Sequence, residues 1–145
     1  WKFSEQEMRG IPVRVELGPK DIEAGKCVLV RRDTREKTEC AIEDVAQTVK
    51  ELLETIQREM FERAKAHRDS HISDAHDYAE FKRAVENKPG FIRGMWCGDQ
   101  ACEDKIKEET TATSRCMPFE EEHIADTCVC CGKPAHKLVY WGKAY

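Results

Sequence analysis

The sequence predicts an α/β unit, helices on a sheet, followed by a small α+β unit organised around a metal ion. Three observations carry this: strand-like alternation in residues 11–42, a helical period from Glu43 to Ala64, and two separated cysteine pairs further on. At 145 residues the chain can bury one moderate core or two small ones, and a metal supplies what a small core lacks.

Lys2 to Arg9 is polar and helix-prone, and Gly10 stops it. Ile11 to Leu17 alternates apolar and polar as a half-buried strand does, and Gly18-Pro19 ends it in a loop. Lys26–Arg32 and Lys37–Ile42 read as two further strands flanking a hairpin turn at Asp33-Thr34-Arg35. From Glu43 the period changes. Val45, Val49, Leu52, Leu53, Ile56, Met60, Phe61 and Ala64 form the apolar stripe of a long helix laid on the sheet. Asp69 to His76 is polar, offers Ser70, Ser73 and Asp74 as caps, and marks the boundary between residues 1–68 and 69–145. A helix over Asp77–Glu86 with Tyr78, Phe81 and Val85 on one face is stopped by Lys88-Pro89-Gly90. A strand over Phe91–Trp96, a charged helix from Cys102 to about Glu109, a strand over Ser114–Phe119, an acidic loop at Glu120-Glu121-Glu122 and a last strand over Lys137–Trp141 complete the chain.

Cys97 with Cys102, and Cys128 with Cys131, can surround one tetrahedral ion, the pattern of a structural zinc site. Gly98 and Gly132 supply the tight turns that let thiolates and backbone N–H groups converge. Tetrahedral sulfur also accepts iron. Eight cysteines would permit a disulfide framework, but the chain is 36% charged, with no apolar secretory segment and no transmembrane run, so a reducing cytoplasm is the expected compartment. Redox catalysis by Cys128 and Cys131 would not need the pair at 97 and 102. Cys27 and Cys40 read as small apolar residues, while Cys116 and Cys130 stand as reserve ligands.

The net charge of −4 is unevenly placed: residues 1–68 hold 14 basic and 14 acidic groups, residues 69–145 hold 10 and 14. Residues 9–37 carry eight Lys or Arg against five acids, a basic strip suited to selective contact with a polyanion and equally to a solvated strand face. The chain starts at Trp1, within what reads as the end of a helix begun earlier, as expected of a C-terminal fragment.

The string Gly10-Ile11-Pro12-Val13-Arg14-Val15-Glu16-Leu17-Gly18-Pro19-Lys20-Asp21, followed by Val28-Leu29-Val30-Arg31-Arg32-Asp33, resembles the anticodon-binding domain of prolyl-tRNA synthetases of the eukaryotic and archaeal-like type. The four cysteines and a terminal Tyr145 resemble that type's zinc-containing extension. The resemblance implies an N-terminally truncated α/β anticodon-binding domain with a mixed sheet at 1–68 and a C-terminal zinc-binding domain at 69–145. It implies that a catalytic domain outside these residues binds ATP, Mg and proline, that the parent is a homodimer, and that Tyr145 packs toward the catalytic domain.

It also implies that Glu7, Arg14, Lys20 and Asp21 contact the two anticodon guanines shared by proline tRNAs. The chemistry suits: a carboxylate accepts paired N–H donors from guanine's Watson–Crick edge, and Lys or Arg meets its O6 and N7 acceptors. Against this, Glu7 and Lys20 could be ordinary surface charges, and Arg14 and Asp21 could pair with each other across the loop. The rival of another class is a zinc-stabilised protein-interaction module whose basic strip binds an acidic partner.

Overall fold

The structure, a computed structural model, describes residues 1–88, 90–120 and 122–143, so Pro89, Glu121 and Tyr145 of the expectations above lie outside the described residues. Two compact units divide the chain, Trp1–Ala64 and Lys65–Tyr145.

The first unit opens with helix α1 (Lys2–Met8) and continues as a three-stranded antiparallel sheet in the order β1 (Val13–Glu16), β2 (Lys26–Arg31), β3 (Lys37–Ala41). Val15 pairs with Leu29, and Cys27 with Cys40. β1 is shorter than the alternation from Ile11 to Leu17, because Pro12 has no N–H for the ladder and Gly18 is already turning. The stretch after Gly18 is helical, not a loop: Pro19 occupies the first position of α2 (Pro19–Glu23), where its fixed φ suits a helix and its missing N–H goes unnoticed. Asp21 secures the start, its Oδ2 accepting from the Gly18 N–H at 2.7 Å. One turn of 3-10 helix over Ile42–Asp44 leads into α3 (Val45–Ser70), whose stripe residues Val45, Val49 and Leu52 pack on Cys27, Leu29 and Cys40.

The second unit holds a four-stranded sheet in the order β4 (Ile72–Asp74), β5 (Phe91–Trp96), β7 (Lys137–Lys143), β6 (Ala112–Cys116). β4 runs parallel to β5 and the other neighbours are antiparallel, so the sheet is mixed. β4 lies in the stretch read from sequence as a polar connection, since three residues are too few to show a period. β6 stops at Cys116 and starts earlier than Ser114, because Thr111 takes a left-handed conformation that ends the preceding helix and releases the chain at Ala112.

Two helices carry N-caps that set their starts. Asp77 accepts from the Glu80 N–H ahead of α4 (Tyr78–Asn87), and Asp99 accepts from the Ala101 N–H ahead of α5 (Gln100–Thr110). The Asp99 cap starts α5 two residues before Cys102, which moves that cysteine into the helix's first turn. The core closes around Trp141, which meets Phe81 edge-on at 6.0 Å, with Ile92, Ile106, Val129 and Val139. Gly90 fits where no side chain can: its φ is +111°, and a Cβ there would stand 2.0 Å from the His71 carbonyl oxygen, the same oxygen that accepts from the Phe91 N–H.

Candidate metal centre and nucleic-acid interface

Cys97 follows the end of β5, Cys102 sits in the first turn of α5, and Cys128 and Cys131 bracket a tight turn before β7. That turn closes through Gly132, whose N–H donates to the Cys128 carbonyl at 2.9 Å with φ at +72°, a conformation that glycine adopts freely. The Val129 N–H donates to the Met95 carbonyl at 2.8 Å and ties the turn to the strand that delivers Cys97.

The sulfurs of Cys97, Cys102, Cys128 and Cys131 all lie within 4.8 Å of one another. A tetrahedral site with metal–sulfur bonds of about 2.3 Å has sulfur–sulfur edges of about 3.8 Å. Cys97 Sγ stands 3.7 Å from Cys102 Sγ and 3.8 Å from Cys131 Sγ, matching those edges.

The electrostatics fit a cation. Burial pushes the Cys128 thiol up, but backbone N–H groups of Cys131, Cys130 and Cys97 aimed at its sulfur outweigh that and bring it down to about 7. Burial, then the neighbouring sulfurs of Cys131 and Cys97, push the Cys102 thiol well up. Four crowded thiols without a positive charge resist ionising together, and an ion at their centre supplies that charge. The cluster could therefore hold a metal ion. Cys116 is exposed on β6, and neither it nor Cys130 belongs to the group of four.

In the first unit Glu7 and Arg14 come together. Arg14 Nη1 donates to Glu7 Oε1 at 2.9 Å, Arg14 also engages Glu16 at 2.9 Å, and its guanidinium lies over the Phe3 ring at 4.0 Å. Arg35 joins Glu7 at the same oxygen, and the two guanidinium groups, Arg35 first, hold the Glu7 carboxyl below the usual range. Lys20 and Asp21 ride on α2, Lys20 exposed and Asp21 half-buried. Asp21 does not pair with Arg14 among the described contacts; its partner is the Gly18 N–H.

The basic strip is largely neutralised from within. Six of its eight cations, Arg9, Arg14, Lys26, Arg31, Arg35 and Lys37, face carboxylates. Arg31 is nearly buried on β2 and binds Asp33 at 2.9 Å and Glu59 of α3 at 2.6 Å, a structural tie that charge counting along the sequence cannot reveal. Arg32 and Arg35 also reach Glu7, contacts that sequence reasoning missed. The hairpin turn at Asp33-Thr34-Arg35 was the available signal, since it folds both back toward Glu7.

Residues 78–145 match the family model described as prolyl-tRNA synthetase, C-terminal, and residues 1–52 match the anticodon binding domain. Similar chains include proteins named proline–tRNA ligase from Lachnoclostridium phytofermentans, 67% identical, and Lachnospira eligens, 66% identical, each over 145 residues. A third, from Clostridium botulinum, is 59% identical over 145 residues. Each match covers 100% of this chain and 30% of the relative, so the chain spans about 30% of the length of the relatives it matches. Among the described residues no helix is long and apolar enough to cross a membrane.

Proposed function

Because this chain belongs to the prolyl-tRNA synthetase family, carrying its C-terminal part behind an anticodon-binding domain, we propose that it reads the anticodon of tRNA(Pro) for a proline–tRNA ligase. The catalytic domain, outside these residues, would activate proline with ATP and Mg and transfer it to the tRNA. The parent would act in the cytoplasm as a homodimer.

The carrying observation is the Glu7–Arg14 pair, with the Lys20–Asp21 helix following in the same matched segment. Glu7 and Asp21 would accept N–H donors of the two guanines, and Arg14 and Lys20 would donate to guanine oxygens and ring nitrogens. Asp21 Oδ2 is taken by Gly18, which leaves Oδ1 for RNA and fixes the direction in which it points. Cys97, Cys102, Cys128 and Cys131 would hold one zinc ion. Four thiolates leave no open coordination position, so the ion's work is structural: it fixes the ends of β5 and α5 to the turn before β7.

Binding of the full-length protein to tRNA(Pro), and to the same tRNA with either anticodon guanine replaced, tests the reading. Each replacement should cost about 1–3 kcal/mol. Equal affinity for all three RNAs would overturn it.

A further inference from the structure

We infer that Arg35 is an exchange residue: it neutralises Glu7 in the free protein and passes to a phosphate of the bound RNA backbone when Glu7 turns to a base. The inference rests on the anticodon-reading proposal above. It starts from a conflict at one carboxylate. Guanine's Watson–Crick edge offers two adjacent N–H donors, and accepting both needs both oxygens of a carboxylate. Arg14 Nη1 and Arg35 Nη1 both approach Glu7 Oε1, so that oxygen must shed a partner before a base can be read with two bonds.

The surroundings decide which guanidinium leaves. Arg14 is held from three sides: by Glu7, by Glu16 at 2.9 Å and by the Phe3 ring at 4.0 Å, and its side chain is 22% exposed. Arg35 has Glu7 as its carboxylate partner among the described residues, and its side chain is 63% exposed. It also sits in the hairpin turn, with φ at +64°. Releasing Arg35 from Glu7 frees an exposed side chain at the cost of one solvent-screened ion pair, whereas Glu16 and Phe3 would still hold Arg14 beside Glu7.

A destination for Arg35 lies beside it. Glu7, Arg32 and Arg35 share an open concavity of about 460 Å³ with Ser4, Met8 and Asp33. Arg32 has no carboxylate partner among the described residues; its Nη1 donates to the Glu7 carbonyl at 3.3 Å, leaving other N–H donors for a ligand. Asp33 does not compete, being engaged by Arg31 at 2.9 Å and faced by Arg63 at 3.6 Å. A freed Arg35 next to Arg32 presents two forked cations to one phosphodiester, the partner such forks suit best.

The test is the salt dependence of full-length protein binding to tRNA(Pro), and to the tRNA with an altered anticodon, for the wild type and for Arg35→Ala and Arg35→Lys. Loss of one phosphate contact should flatten the log–log salt slope by about one on tRNA(Pro) and leave it unchanged on the RNA with the altered anticodon, where Glu7 has no base to turn to and keeps Arg35. Arg35→Lys should recover most of the slope on tRNA(Pro), and equal flattening on both RNAs in Arg35→Ala would make Arg35 a phosphate contact independent of Glu7 and overturn the exchange. An unchanged slope with weakened discrimination would overturn the exchange and make Arg35 a fixed support of Glu7. A wild type that does not discriminate the anticodons would sink the underlying reading instead, a distinct outcome.

Discussion

In the second unit Trp141, Phe81, Met95, Ile106, Val129 and Val139 are each exposed by 2% or less, while in the first only Cys27 and Leu29 reach that depth. The first unit instead leaves Trp1, Phe3, Met8, Ile11, Val15, Leu17 and Ile22 exposed, three of them in or beside the edge strand β1. The contrast follows from layering. One helix covers one part of a three-stranded sheet in the first unit, whereas α4, α5 and the cysteine turn all contribute to the core of the second. The first unit offsets its thin core with polar ties such as Arg31 to Asp33 and Glu59. The second joins its core to the cysteine cluster that could hold a metal: Cys102 and Cys128 belong to the same buried group as Met95, Ala135 and Leu138.

The strongest way to break this contrast is to remove the proposed zinc ion. Structural zinc on thiolates contributes on the order of 10 kcal/mol, as much as the net stability of a whole domain. A chelator should therefore unfold the second unit, seen as a change in emission from Trp96 and Trp141 and loss of amide protection in β5 and β7. Amides of β2, which lie in a unit without the cluster, should keep their protection. Loss in both units together, or in neither, would contradict the division of labour.

Acid reaches the first unit through a named carboxylate. The Arg31 guanidinium beside Asp33 holds its carboxyl below the usual range, and Arg63 helps. A carboxyl with a depressed folded value contributes stability that is complete above the unfolded value of about 3.9 and is lost as pH falls through the folded one. Followed by amide protection of β2 and β3, which lie in the unit without the cysteine cluster, the first unit should weaken progressively below about pH 4. In Arg31→Met the starting stability should be lower and its acid dependence shallower, because Asp33 loses its main partner and keeps only the more distant Arg63. The same steepness in both proteins would show that Asp33 is not the group responsible.

Much of this was legible in the sequence wherever a period or a spacing was long enough to count. The stripe from Val45 to Ala64 requires a helix, and two cysteine pairs require only that their turns meet. What stayed hidden were short or relational features. β4 has three residues and no period, and α2 has five, its only signals being Pro19 and Asp21. The burial of Arg31 depends on Glu59, 28 residues away, and the crowding of Glu7 depends on a turn that brings Arg35 back across the sheet. Such pairings arise from tertiary register, which composition alone does not encode.

The finest test of the comparison concerns Asp21, because in the first unit structure and proposed reading share a side chain, while the role proposed for the cysteines of the second is structural alone. Asp21→Ala would confound the two by stripping the Gly18 N–H of its acceptor at 2.7 Å. Asp21→Asn separates them. An amide oxygen can still accept from Gly18, so stability should change by no more than about 0.5 kcal/mol. Yet the second oxygen becomes an NH₂ group, a donor facing guanine's donors, so discrimination for the tRNA(Pro) anticodon should fall by about 1–3 kcal/mol. Denaturant midpoints and anticodon-variant binding, measured on the same protein, read the two effects independently. If stability and discrimination fell together, Asp21 would act on RNA only through the fold of α2; if discrimination fell alone, its free oxygen is the reader.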